Sequence, residues 1–198
     1  MNMKKSVMIS IAAAALMLIG ANASAQIGIG IGAGTRIFKA KGIEGARYMP
    51  GVMVSFEDSQ RVSDYFGYSA GIDFGTYKER GAADKTSGYM TEMYIDIPVR
   101  AKFYLPVSDN FELFLFGGPV PSVCLSAHRV TSAGKVNWFE ASTNYTRYDV
   151  LVGGGIGADI AGHLRVTVGY DYGLLDRDGT DVVNLKMSIA KVGVTYLF

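Results

Sequence analysis

Eight charged residues carry most of the chemical capacity of this sequence: Asp73, Glu92, Asp96, Arg100, Lys102, Asp159, Arg165 and Asp171. Each lies in a segment where apolar residues take every second position, so each points away from the apolar face. Acids and bases gathered on one face allow two outcomes. Paired, they form a salt-bridge and hydrogen-bond network, because a charge taken out of water requires a partner. Unpaired, they line a polar conduit for small solutes.

Other chemistry is scarce. Gly28-Ile29-Gly30-Ile31-Gly32-Ala33 loosely fits a dinucleotide fingerprint, but it lies within a strand pattern and opens no helix. The two histidines, His128 and His163, fall in connections at opposite ends of the strand array, which argues against a shared metal site or a nucleophile–histidine pair. Cys124 has no second cysteine to bond with and reads as a small buried hydrophobe. The expectation is no catalytic residue, no cofactor, no metal and no enzyme.

Eight alternating segments position the charges. They run over Ile27–Phe38, Tyr48–Glu57, Tyr65–Lys78, Tyr89–Leu105, Phe111–Ala127, Tyr148–Ile160, Leu164–Leu174 and a last one ending at Phe198. The fourth is the clearest: Met93, Ile95, Ile97, Val99, Ala101 and Phe103 share one face, and Glu92, Tyr94, Asp96, Arg100, Lys102 and Tyr104 share the other. Two segments break the rule. The fifth has apolar residues on both faces, and Gly117-Gly118-Pro119 suggests a bulge or bend there. In the eighth, Leu185, Met187 and Ile189 alternate out of phase with Val192, Val194 and Tyr196, so a bulge near Ala190 or Lys191 is expected.

Connection lengths sort by parity. Asp58–Asp64, Pro106–Asn110 and Ala161–His163 are short, whereas Lys39–Arg47, Glu79–Gly88, His128–Arg147 and Leu175–Val183 are longer and more polar. Short turns at one end, long loops at the other and an even strand count are the signature of an outer-membrane β-barrel with both termini in the periplasm. The chain also ends on an apolar strand with Tyr196 and Phe198 on one face, resembling the C-terminal signal by which such barrels are recognised for assembly.

The opposite terminus agrees. Met1–Lys5 is basic, Val7–Gly20 is apolar but shorter than the roughly 18–20 residues of a spanning helix, and Ala23-Ser24-Ala25 is a small-residue cleavage pattern. Residues 1–25 therefore read as a signal peptide and 26–198 as one domain. The 25 glycines exceed the usual share of about 7%, and Tyr and Phe are abundant. Without Lys4 and Lys5 the formal charge of +1 becomes −1, which leaves no strongly basic face for nucleic acid.

The expected fold is all-β: a single closed antiparallel transmembrane barrel of about eight strands, since only closure satisfies every backbone group in lipid. Tyr170, Tyr172, Tyr148 and Tyr89 fall at the loop-side rim, and Phe56, Phe66, Phe103, Phe111 and Phe198 at the periplasmic rim, where aromatic girdles belong. A barrel of this size encloses a space that side chains fill, which favours the paired, plugged lumen over the conduit.

The run Ile95-Asp96-Ile97-Pro98-Val99-Arg100-Ala101-Lys102-Phe103-Tyr104, followed by Gly117-Gly118-Pro119, resembles the PorT-like "porin family" of small outer-membrane barrels in Gram-negative bacteria. The motif covers only the two central strands. The resemblance implies an exported barrel in the cell outer membrane, and little about activity, because the family includes secretion accessory proteins and fold does not fix function. The reading is a non-enzymatic barrel with a plugged polar lumen that presents loops, with Trp138, Phe139 and Tyr145 as candidate surface contacts. The alternatives are a narrow porin and an accessory subunit of a secretion machinery. Expected partners are outer-membrane lipid, the barrel-assembly machinery, and a secretion complex or extracellular partner.

Overall fold

The computed structural model describes residues 25–42, 44–79, 88–141, 145–178 and 184–198. The expected signal peptide lies outside them except for its last residue, Ala25, which opens the first strand. Ten strands form one antiparallel sheet: β1 (Ala25–Ala40), β2 (Arg47–Arg61), β3 (Phe66–Lys78), β4 (Tyr89–Asp96), β5 (Val99–Ser108), β6 (Phe111–Thr131), β7 (Gly134–Asn137), β8 (Tyr148–Ile160), β9 (Leu164–Gly173) and β10 (Leu185–Leu197). A four-residue helix, α1 (Trp138–Ala141), follows β7.

β1 pairs with β2 on one side and with β10 on the other, from Gly28↔Leu197 to Ala40↔Leu185, so the sheet closes on itself and this seam leaves no edge. β4 and β5 are two halves of one stave. Both pair with β3 in a single register, and only Ile97-Pro98 drops out of the ladder, because proline has no N–H to give. With β7 a short extension of β6, the ring has eight staves.

Alternation sorts the side chains as expected. Ile29, Val54, Phe74, Phe103, Val168 and Val194 face outward, while Arg36, Glu92, Arg100, Lys102, Arg165 and Asp171 are buried inside. Lipid solvates the first set and the barrel wall encloses the second. The described residues of the connections again sort by end: 62–65, 109–110 and 161–163 lie with the chain termini, and 41–42, 44–46, 79, 88, 132–141, 145–147, 174–178 and 184 lie opposite. We call these the terminal end and the loop end. The turn between β8 and β9 holds Ala161 and Gly162 at φ 53° and 72°, the handedness that lets a short hairpin follow the twist of its strands.

Both expected bulges are corrected. The β6–β8 ladder runs in one register from Phe111↔Ile160 to Val123↔Tyr148, straight through Gly117-Gly118-Pro119. The irregularity in β6 comes later, where Tyr94↔Cys124 and Met93↔Ser126 leave Leu125 as an extra residue. β10 likewise keeps one register with β1 and with β9 past Ala190 and Lys191. Met187 and Ile189 do point to the opposite face from Val192, and that face is the interior. They join Phe38, Met49, Met53, Tyr77, Met90, Tyr94 and Leu151 in an apolar core inside the loop-end half of the barrel.

Candidate functional site

The lumen is built in layers, starting at the terminal end. Glu57 on β2 accepts from Lys102 Nζ at 2.5 Å and pairs with Arg165. Arg165 forks onto Asp159, with Nε and Nη2 each 2.7 Å from a carboxylate oxygen. Ser59 Oγ accepts from Lys102 and from Arg165, both at 2.8 Å. Both cations lie over the Phe114 ring, with Lys102 Nζ at 5.4 Å and Arg165 Cζ at 5.0 Å from its centre. Phe114 has room because its cross-strand partner is Gly157, where any Cβ would meet the ring. The double-apolar sequence of β6 is thereby explained: Phe114 fills the lumen, Leu113 and Leu115 face lipid. Below this layer the barrel opens into a mouth of about 1000 Å³ that Tyr104, Asp159 and Arg165 help to line, with the pair Arg61–Glu112 beside it.

In the middle layer Arg100 reaches across the lumen to Asp171 on β9 at 2.6 Å and donates to the carbonyls of Gly118 (2.8 Å) and Gly153 (3.0 Å). Lys191 sits between Asp171 (3.3 Å) and Asp73 (3.5 Å). A cavity of about 80 Å³ lies among Glu57, Asp73, Arg100 and Lys191.

The loop-end half differs. Arg36 is fully buried, 2.5 Å from Asp96, with its guanidinium 3.5 Å over the Tyr94 ring and 4.7 Å from that of Tyr77. Ser122 donates to the other Asp96 oxygen at 2.5 Å. Around this pair pack Met49, Met53, Met90, Leu151, Met187 and Ile189.

Trp138, Phe139 and Tyr145, expected as surface contacts, pack against that core. Partly buried, these aromatics cover the loop-end side of that core. Tyr145 Oη donates to Glu92 at 2.7 Å, and Tyr94 donates to the other Glu92 oxygen. The Arg177 guanidinium lies 4.9 Å from the Tyr145 ring and 5.5 Å from that of Tyr94. A bridge between Tyr145 and Asp178, with Thr146 N donating to Arg177 O at 2.9 Å, ties two loops into one cap. Burial and the nearby Glu92 carboxylate raise the Tyr145 hydroxyl well above the ordinary tyrosine value. Burial alone would lower Arg177, but the oxygens of Tyr94, Tyr145 and Glu92 outweigh it and hold the guanidinium charged.

All eight charges expected in the lumen point there, and the structure joins them with five more groups: Arg36, Glu57, Asp149, Arg177 and Lys191. Parity carried the signal for four of these, since Arg36 continues the Gly28–Gly34 face and Glu57, Asp149 and Lys191 oppose Phe56, Val150 and Val192. Arg177 lies in a loop and had none. Arg100 and Lys102 pair with Asp171 and Glu57, neither of them on an adjacent stave, because in so narrow a ring the long side chains reach across it. At the C-terminus, Tyr196 stacks on His163 (5.9 Å between centres) and Phe198 meets Tyr196 edge-on (5.0 Å). His163 and His128 lie at opposite ends, and no cluster of metal-ligating side chains occurs among the described residues.

No curated protein matches the sequence. Among solved structures, neisserial surface protein A (NspA) is similar at 15% identity and TM-score 0.57, covering 87% of this chain and 97% of that one. Ail, the attachment invasion locus protein of Yersinia pestis, in complex with the heparin analogue sucrose octasulfate, is similar at 13% identity and TM-score 0.52, covering 88% and 99%. The outer-membrane enzyme PagL is similar at 10% identity and TM-score 0.47, covering 83% and 97%. At these identities the likeness is one of fold. The family model described as "Outer membrane protein beta-barrel domain" matches residues 11–198, so the chain belongs to that family and is an integral protein of the cell outer membrane.

Proposed function

We propose that this is a non-enzymatic barrel whose lumen is a closed structural network and whose working surface is the loop end. One observation carries the reading: Arg36, Arg100, Lys102, Arg165 and Lys191 are each ion-paired inside the wall, beneath an apolar core and an aromatic lid. A conduit needs a continuous wet path with charges free to meet a passing solute. Here the charges meet each other. The nearer grouping with the PorT-like barrels rests on the Ile95–Tyr104 run and Gly117-Gly118-Pro119 alone.

Beyond the lid, the hairpin of β6 and β7 carries Arg129 and Lys135 exposed, Arg147 is exposed just before β8, and this is the surface offered to an extracellular or secretion-complex partner. The test is planar-bilayer recording on the refolded protein. The expected result is no steady single-channel conductance, in the wild type and in Arg100→Ala alike. Steady wild-type channels whose ion selectivity shifts in Arg100→Ala would replace this reading with a narrow porin.

A further inference from the structure

The outer wall carries a feature that the lumen does not explain. On the faces of β10, β1, β2, β3 and β4 lies an apolar groove of about 680 Å³, lined by Ile31, Val52, Val54, Phe74, Met93 and Val192. Its size falls within the roughly 300–1,000 Å³ of ligand-sized sites. Its cause is local: Ala33 pairs with Val192 on one side and Val52 on the other, so a methyl group sits between two larger walls.

Above the same strands, at the loop-end rim, are three outward lysines. Lys39 and Lys186 are direct cross-strand partners. Both face out, because their chain neighbours Phe38 and Met187 are buried in the core. Lys78 stands two staves on, its Nζ 4.0 Å over the Tyr89 ring. Like charges placed directly opposite are destabilising, so the Lys39–Lys186 pair gains from an anion between them. Among the described residues, none of the three lysines forms a salt bridge with an acid; Lys186 Nζ donates instead to the backbone carbonyl of Leu174.

We propose that groove and rim form one site for a single membrane lipid whose phosphate headgroup carries a net negative charge, held in the leaflet on the loop side. The dimensions agree. Ala33 to Lys39 is six residues, about 20 Å along the strand and about 15 Å along the membrane normal at the usual tilt. That is half of the ~30 Å hydrocarbon core, the depth of one leaflet. The acyl chain lies over Ala33 and the phosphate bridges Lys39 and Lys186. A second copy of this chain fits less well, since a symmetric contact would set these lysines against themselves.

The test uses the full barrel refolded in zwitterionic detergent and titrated with dimyristoyl phosphatidylglycerol, dimyristoyl phosphatidylcholine or inorganic phosphate, with the thermal unfolding midpoint as readout. A saturable rise with phosphatidylglycerol alone is expected. Lys39→Gln/Lys186→Gln should weaken the apparent affinity about thirtyfold, from the loss of two surface charges near an anionic headgroup. Ala33→Phe fills the groove and should abolish the shift. Both variants should keep the wild-type difference in gel migration between unboiled and boiled samples, because they alter only the outer face. An equal rise with phosphatidylcholine would overturn the proposal as ordinary lipid solvation. A full effect of inorganic phosphate, a rise unchanged in both variants, or groove-dependent dimers on sedimentation would also overturn it.

Discussion

The two halves of the lumen solve the same problem with different materials. In the terminal-end half, Glu57 is shared by Lys102 and Arg165, Arg165 also holds Asp159, and the layer opens into a mouth of about 1000 Å³. Glu57 and Arg165 each have two charged partners, and water is near. In the loop-end half, Arg36 has one acid, Asp96, two tyrosine faces and a surround of methionine, leucine and isoleucine. An ion pair in such a dry setting costs desolvation that its own attraction barely offsets, yet removing one partner is severe. The number of charges in a lumen therefore says less about its energetics than their redundancy and their distance from water.

Three substitutions would break or sharpen that contrast. Arg36→Ala strands Asp96 in an apolar interior and should cost roughly 3–5 kcal/mol, read as the urea unfolding midpoint of the refolded barrel. Removing both partners in Arg36→Met/Asp96→Leu should recover most of it. A single-mutant loss below about 1 kcal/mol would mean that the loop-end half is wet. Met187→Ala opens a cavity against Arg36 and the core and should cost about 3 kcal/mol, within the usual range for buried methionine. A neutral result would show that the lid and core do not pack as described. Lys102→Ala should cost least, about 1–2 kcal/mol, because Arg165 still neutralises Glu57 beside the open mouth. Raising salt from 0.1 to 1 M cuts the screening length from about 10 to 3 Å. The Lys102→Ala deficit should shrink in that range while the Arg36→Ala deficit persists. Equal salt response in the two variants would erase the distinction between the halves.

Much of this was legible in the residues. Alternation located every stave, put Glu92, Asp96, Arg100 and Lys102 on the inner face of the fourth, and sorted the connections by end. The errors share one origin. The expected bulge at Ala190 or Lys191 came from assuming that every apolar residue faces lipid. Met187 and Ile189 are apolar and face inward, because the loop-end lumen is as dry as the membrane. Trp138, Phe139 and Tyr145 looked like exposed loop aromatics for the same reason, since nothing in the chain reveals that the space beneath them is apolar. Leu125 was missed because the residues beyond it continue without a visible break, and only pairing with β4 exposes the extra residue.

By itself, the sequence determined the strands, the alternation of their side chains between two faces, and the closure that lipid demands, because period-two alternation is a property of the local backbone and an unpaired edge has no partner in hydrocarbon. Only the tertiary structure decided which acid meets which base and which apolar residues line the lumen rather than the wall. Arg100 finds Asp171 and Lys102 finds Glu57 because the register and tilt of eight staves set the heights at which side chains meet across a narrow ring. That choice belongs to the assembled cylinder, and no segment of the chain contains it.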